Sequence, residues 1–397
     1  MARRLTRCTA TLLVGASWLS LPGGPAPAAQ AAPVKPPGDP LFKYQWNLHA
    51  MQLPAAWAVS RGAGAVVAVL DTGVAYEDRG AYRRAPDLAG TRFVAGRDFV
   101  ADDAHPDDVP RSGGRRSHGT QMAGLIAQTT GNAIGGAGVA PEAAIMPIRV
   151  LRPDLSGSAR TIARGLRYAA DHGADVANLS IAGPARSRVL KAAVDYAASR
   201  GVTIVAAAGN GGGPSVGWPA AYPQVIAVGA VGQDLTRAYY SNYGRALDLM
   251  APGGAGDTVD TGYGPADGVL AQTLKGGPSH FCFCFTASTS AAAAQVSGVV
   301  ALLVGSGRAT RPADIRAALL SSARNLGPPG HDPEYGAGLV QARSALAASR
   351  PPPQSLATRD PRPSSRPSWT VWLTLSLMGT GLAALSLVRR TRRGRVT

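Results

Sequence analysis

Cysteine is scarce. Three residues in 397 give no disulfide framework, so the fold must rest on its core. Cys8 lies near the N-terminus, directly after Arg7, which argues against lipid modification. Cys282 and Cys284 stand at i and i+2 in an expected strand, where a bridge would be strained, so two free, buried thiols are expected. Aromatic residues make up 6% of the chain and nowhere interleave with a basic stripe, which speaks against nucleic acid as a partner. Acids are the scarcer charge, 24 against 40 lysines and arginines. That shortage is local. Residues 1–32 hold three arginines and no acid, residues 351–397 hold eight arginines and one acid, and residues 33–350 carry a net charge of only +6. Excess charge confined to the ends reads as membrane topology. No internal repeat and no LPxTG-like sorting motif is present. Gly62-Ala63-Gly64 precedes a strand, whereas a phosphate-binding glycine fingerprint follows one, so that reading fails.

Apolar runs mark both ends. Arg3, Arg4 and Arg7 precede a short apolar run, Thr11 to Leu21, and Ala26-Pro27-Ala28 and Ala29-Gln30-Ala31 offer small-residue cleavage sites. Residues 1–31 are therefore expected to be a secretory signal peptide. Trp369 to Val388 is an uncharged apolar run, followed at once by Arg389-Arg390-Thr391-Arg392-Arg393-Gly394-Arg395. Its length covers about 30 Å as a helix, the thickness of the hydrocarbon core. The expected organisation is one large domain at 32–350, a proline-rich linker at 351–368, a transmembrane helix at 369–388 and a basic cytoplasmic tail at 389–397. The domain would then sit outside the cell membrane on a single C-terminal anchor.

Between these ends the pattern alternates. Ala65–Leu70, Ala144–Val150, Val176–Leu179, Val202–Ala207 and Val225–Val231 are continuous apolar runs of the kind that fill central parallel strands. Ser158–His172 and Arg188–Ser199 place apolar residues at helical spacing. Strand, helix and strand in alternation predict an α/β fold, three-layered, with a mainly parallel sheet flanked by helices.

Four short stretches carry chemistry. Val69-Leu70-Asp71-Thr72-Gly73 ends a strand, and Ser117-His118-Gly119-Thr120 opens a helix. Ala206-Ala207-Ala208-Gly209-Asn210 ends another strand, and Thr289-Ser290-Ala291-Ala292-Ala293 opens an alanine-rich helix. They supply a carboxylate, an imidazole, an amide and a hydroxyl, which is the equipment for acyl transfer by a serine nucleophile. Ser290 would attack and His118 would take its proton. Asp71 would orient the imidazole, and the Asn210 side chain with the Ser290 N–H would hold the oxyanion. His105 lies in an acidic run, Asp102-Asp103 and Asp107-Asp108, expected to be a solvated loop rather than a metal site.

The order Asp, His, Ser resembles that of the subtilases. Pro86-Asp87-Leu88, Gly138-Val139-Ala140-Pro141, Tyr240-Ser241-Asn242-Tyr243-Gly244 and Leu249-Met250-Ala251-Pro252-Gly253 extend the resemblance over about Asp39 to Ala348. It implies a serine endopeptidase of subtilisin-like fold acting on protein or peptide substrates, with no cofactor needed for chemistry. It also implies that Ser180-Ile181-Ala182-Gly183 is a strand edge that pairs with an extended peptide. Ile181–Gly183 and Ala206–Gly209, small and uncharged, would line the first pocket and favour an apolar residue before the cut. Asp39, Asp87 and Asn132 match a structural calcium site of the family, with the carbonyls of Ile134 and Gly136 able to complete it.

Two departures stand out at the nucleophile, where the family usually has Gly-Thr-Ser-Met-Ala-Ala-Pro-His. Gln295 replaces a structural histidine, and Ser288 replaces a glycine two residues before Ser290. A position needing φ > 0 or a close approach of substrate would be disturbed by a Cβ there. The competing reading is accordingly a catalytically impaired, subtilase-like module that binds peptides at the cell surface. The family's usual propeptide has no room between the cleavage site and Gln45-Trp46, so the domain is expected to fold unaided or with help from elsewhere. The whole layout resembles that of mycosins, anchored subtilases of type VII secretion, and on layout alone implies a secretion-system partner.

Overall fold

A computed structural model of the chain describes residues 37–110, 116–255 and 267–349. All of these belong to a compact unit spanning 1–354. The expected signal peptide, linker, transmembrane helix and basic tail lie outside the described residues. Among the described residues no helix is long and apolar enough to cross a membrane.

In chain order the elements are α1 (Trp46–Ala50), α2 (Leu53–Ala56), β1 (Val66–Asp71), β2 (Arg92–Phe93), β3 (Arg97–Asp98), α3 (Gly119–Ala127), β4 (Ala144–Arg149), α4 (Ala159–Asp171), β5 (Val176–Leu179), α5 (Arg188–Ser199), β6 (Thr203–Ala207), β7 (Val225–Val231), β8 (Leu249–Pro252), β9 (Val269–Leu274), β10 (Phe281–Thr286), α6 (Thr289–Gly305), α7 (Pro312–Ser322) and α8 (Ala342–Ala348). A parallel sheet runs β2-β4-β1-β5-β6-β7-β8, with β3 also pairing β4. The apolar runs of the sequence fall on its central strands, and buried on both faces they have no need of alternation.

The two faces differ. Val67 and Val69 of β1 pack into a core with α3 and α6, while Ala68 and Leu70 pack into a second core with α4 and α5. The second face is covered by amphipathic helices whose outer sides meet water. Each starts at a serine, Ser158 or Ser187, whose hydroxyl accepts a backbone N–H three residues on. On the first face α3 is buried throughout, and α6 is buried from Thr289 to Leu303. A helix so enclosed must be built from small and apolar residues, and the alanines of α6 satisfy that. This layering carries the chemistry-bearing residues of α3 and α6 to the carboxyl ends of the strands.

A separate antiparallel hairpin, β9–β10, lies against α3. It corrects the reading of the cysteines. Cys282 and Cys284 form a disulfide. Their Cα atoms are 5.6 Å apart, within bridging reach. That is shorter than the roughly 6.7 Å repeat of a fully extended strand on which free thiols were expected.

Candidate active site

Asp71 is the last residue of β1 and is completely buried. One carboxylate oxygen accepts the N–H of Thr72 at 2.8 Å. The pair of oxygens also faces His118, whose Nδ1 lies 2.7 and 2.9 Å away. Neutral imidazole bonded this way carries its proton on Nδ1 and leaves Nε2 as the acceptor. His118 caps the start of α3, and the next residue must be small. A Cβ on Gly119 would lie 2.1 Å from the Gly73 carbonyl oxygen and 3.0 Å from Asp71 Cβ. Gly119 thus permits the close approach of β1 to α3 that brings the acid and the imidazole together.

Ser290 is the second residue of α6 and is 6% exposed. Its hydroxyl donates to the Ser180 carbonyl at 3.3 Å, a long bond, and its own carbonyl accepts from Ser180 Oγ at 3.0 Å. Ser180 is held in turn by Asn178, and Asn178 by Ser297 of α6. The strand edge is therefore laced to the helix that presents Ser290.

Asn210 follows the end of β6. Its Oδ1 accepts from the Thr289 N–H at 2.9 Å and from the Thr289 hydroxyl at 2.7 Å. A backbone N–H can only donate, so the amide oxygen faces α6 and the NH₂ group turns away from it. Thr289 Oγ1 also accepts from the Gly209 N–H. His118, Asn210 and Ser290 line one cleft of about 360 Å³, with Arg116, Gln121, Leu155, Tyr239, Tyr240 and Ser288 on its walls. At the α6 N-terminus the N–H groups of Thr289 and Ala291 are taken up by Asn210 Oδ1 and Ser288 Oγ, and the positive end of the helix dipole makes this a good setting for developing negative charge.

Ser288 caps α6. Its backbone is extended, φ −170°, and its hydroxyl accepts from the Ala291 N–H at 3.1 Å. This position has no need of glycine's left-handed conformation, and serine gains a capping bond there. Gln295 takes the place of the family's histidine with two bonds, to the carbonyls of Pro252 and Ala291, and it accepts from Asn47.

The expected peptide-pairing edge is shorter than the sequence suggested. Gly183 exchanges both of its main-chain groups with Trp218, at 2.7 and 2.9 Å, so its N–H is already taken. Ser180, Ile181 and Ala182 remain. The small residues do converge: a Cβ on Gly209 would lie 3.3 Å from Ala182 Cβ, and one on Gly217 only 3.0 Å. Gly217 belongs to this wall, and only its composition, small and uncharged, hinted at it.

The acidic run at 102–108 is not one solvated loop. Asp102, Asp103 and His105 are exposed, and His105 pairs with Glu77. Asp107 and Asp108 are buried, Asp107 by an ion pair with Arg79 and Asp108 by hydroxyl and amide donors. Alternation of charge and loop residues gave no sign of this, because the partners are distant in sequence. Burial pushes the Asp108 carboxyl up to about 6, against the pull of its bonds to Thr120 and Thr72; the charge of Asp71 adds to the rise.

Asp39, Asp87 and Asn132 also come together, far from the cleft in role. Asp39 accepts three backbone N–H groups, from Gly131, Asn132 and Ala133. Asp87 accepts from Asn132 Nδ2 and from the Gly136 N–H, and Asn132 Oδ1 accepts from the Ile134 N–H. Burial pushes Asp87 up to about 7. The donor chemistry is that of a hard-cation site, but the oxygens already carry N–H donors and an amide nitrogen faces Asp87. As folded, the set does not fit a calcium ion. Among the described residues no group of three or more His, Cys, Asp or Glu could hold a metal.

Comparison with known proteins agrees with this layout. Residues 62–338 match the subtilase family, peptidase S8. The chain is 36% identical to thermitase of Thermoactinomyces vulgaris, covering 73% of this chain and 92% of that protein. It is 37% identical to subtilisin Savinase of Lederbergia lenta, covering 76% and 97%. Among solved structures, a protease of Pseudoalteromonas arctica PAMC 21717 superposes with a TM-score of 0.69 at 33% identity, covering 79% of this chain and all of that one. With its parallel sheet, its buried α6 and its acid–imidazole pair at the strand ends, the chain belongs to the subtilase family and is a subtilisin-type serine protease.

Proposed function

We propose that this protein is an endopeptidase whose triad is Asp71, His118 and Ser290, with the Asn210 amide in the oxyanion hole. The observation that carries the reading is the buried Asp71 carboxylate on His118 Nδ1 at 2.7 Å, in one cleft with Ser290. Ser290 Oγ attacks the peptide carbonyl as its proton passes to His118 Nε2. The same proton is then given to the leaving amine, and a water that loses its proton to His118 breaks the acyl–Ser290 bond, the proton returning to Ser290 Oγ. Asp71 holds the tautomer and stabilises the imidazolium. The NH₂ group of Asn210 and the N–H of Ser290 bind the oxyanion. No cofactor enters this scheme.

The substrate is a protein or peptide bound as an added strand along Ser180, Ile181 and Ala182. The small wall of Ala182, Ala208, Gly209 and Gly217 favours an uncharged, apolar residue before the cut. The reading as an impaired binding module rested on Ser288, whose extended backbone and capping bond support the active reading, while its place on the cleft wall leaves substrate approach to the test below. The enzyme is further read as tethered outside the membrane, on the strength of the apolar run 369–388 and the arginines after it.

The test is a fluorophosphonate applied to the full chain, read by intact mass. One adduct on the parent and none on Ser290→Ala is expected, with peptide hydrolysis by the variant lower by about 10⁶-fold. Absence of an adduct on folded parent protein would sink the reading. For the anchor, alkaline extraction of membranes should leave the parent in the pellet and release a chain truncated after Arg350.

A further inference from the structure

We infer that Asp108 is a positioning residue for the Asp71–His118 pair, acting through the hydroxyls of Thr72 and Thr120. The inference rests on the triad reading above. Asp108 is 1% exposed and has no part in the proposed scheme. One of its oxygens accepts the Thr72 hydroxyl at 2.8 Å. The other accepts the Thr120 N–H at 2.9 Å and the Thr120 hydroxyl at 2.6 Å. Thr72 directly follows Asp71, and Thr120 comes two residues after His118.

Each hydroxyl also reaches across the gap. Thr72 Oγ1 accepts the Gly119 N–H at 2.9 Å, and Thr120 Oγ1 accepts the Ala75 N–H at 3.0 Å. The segment leaving β1 and the start of α3 are thus cross-linked twice. Asp108 is the node that both links share. A hydroxyl has one proton to give. Since each threonine oxygen accepts a backbone N–H, its proton is free for the carboxylate. Only a group that accepts everywhere serves all three donors. Asparagine would turn an NH₂ toward one threonine, whose hydroxyl proton would then lose its acceptor. The acid at 108 therefore follows from the donor pattern around it.

The charged groups near Asp108 are Asp71 on β1, His118 at the start of α3, and the adjacent Asp107, which is paired with Arg79. The separation of Asp71 from His118 is set by a clamp beneath the pair, anchored on a third carboxylate.

The experiment measures kcat and KM for a chromogenic peptide across pH, using the full chain. Asp108→Asn should lower kcat about 10- to 100-fold with KM close to the parent's, as expected for reacting groups displaced by less than about 1 Å. The acid limb of kcat/KM reports His118 in the free enzyme and should move to lower pH, because a negative charge near the imidazolium is gone. Thr72→Val should repeat the loss in kcat, and Thr72→Ser, which keeps the hydroxyl, should restore it. Should Asp108→Asn not fold, the Thr72 pair decides. Values of kcat within about twofold of the parent in Asp108→Asn and Thr72→Val would overturn the inference. So would equal losses in Thr72→Ser and Thr72→Val that track a lower Tm while the acid limb stays put. Failure of the triad reading is seen separately, as parent-like activity in Ser290→Ala.

Discussion

Two buried carboxylate clusters in this domain use the same bonds to different ends. At the cleft, Asp71 and Asp108 are held by Thr72 and Thr120 around His118. At the loop following α3, Asp39 and Asp87 are held by backbone N–H groups and by Asn132. Each has two buried acids held by backbone and side-chain donors. One ends in an imidazole facing a cleft, and the other closes on amides. A carboxylate network does chemistry only where it terminates in a group that can exchange a proton and meet a substrate. Elsewhere the same network fastens a loop.

The comparison can be broken at several points. The largest effect is expected at the cleft. Asn210→Ala should lower kcat by about 10²–10³-fold with little change in KM, the usual consequence of losing one oxyanion donor. A drop below about fivefold in steady-state assays would remove Asn210 from that role. The mirror experiment is Asp39→Ala, which leaves three backbone N–H groups without their acceptor. Stability in urea should fall by roughly 2–4 kcal/mol while kcat of the folded fraction is unchanged. A selective loss of kcat would mean that the clasp communicates with the cleft.

A subtler test uses pH. Asp87 is raised by burial, so the folded state holds a proton that the unfolded state has released. Its contribution to stability is complete below the ordinary carboxylate range and is lost as pH rises through about 7. The Tm of Asp87→Asn relative to the parent should therefore climb between pH 4 and pH 7. A difference that is flat over that window would show that Asp87 titrates normally. The smallest expected effect is that of a chelator. Because the Asp39–Asp87–Asn132 oxygens are already bonded, EDTA should leave Tm within about one degree, whereas a bound calcium would stabilise by mass action. A fall in Tm that added calcium reverses would turn the clasp into a cation site.

Much of this was legible in the sequence because the signals are local. Parallel strands announce themselves as apolar runs, and Val176–Leu179, Val225–Val231 and Arg188–Ser199 lie where periodicity puts them. Asp71, His118 and Ser290 were visible because each follows or opens such an element. What escaped was decided by partners far along the chain. Burial of Asp108 depends on Thr72 and Thr120, closure of Gly183 depends on Trp218, and the extended backbone of Ser288 depends on its cap to α6. The Cys282–Cys284 bridge escaped because it turns on how tightly one strand is drawn in, which residue spacing does not encode.

The position of β1 has a consequence for timing. It lies inside the sheet between β4 and β5, whose first residues are Ala144 and Val176. A growing chain therefore presents Asp71 early, with neither neighbouring strand yet made. Ser290 comes last of the proposed triad, on the helix that seals one face. At synthesis rates of about 5–20 residues per second, ten seconds or more separate the two. For most of that interval the nascent polypeptide holds the proposed acid and imidazole without Ser290, so on the triad reading it is harmless to its neighbours until the domain is nearly whole.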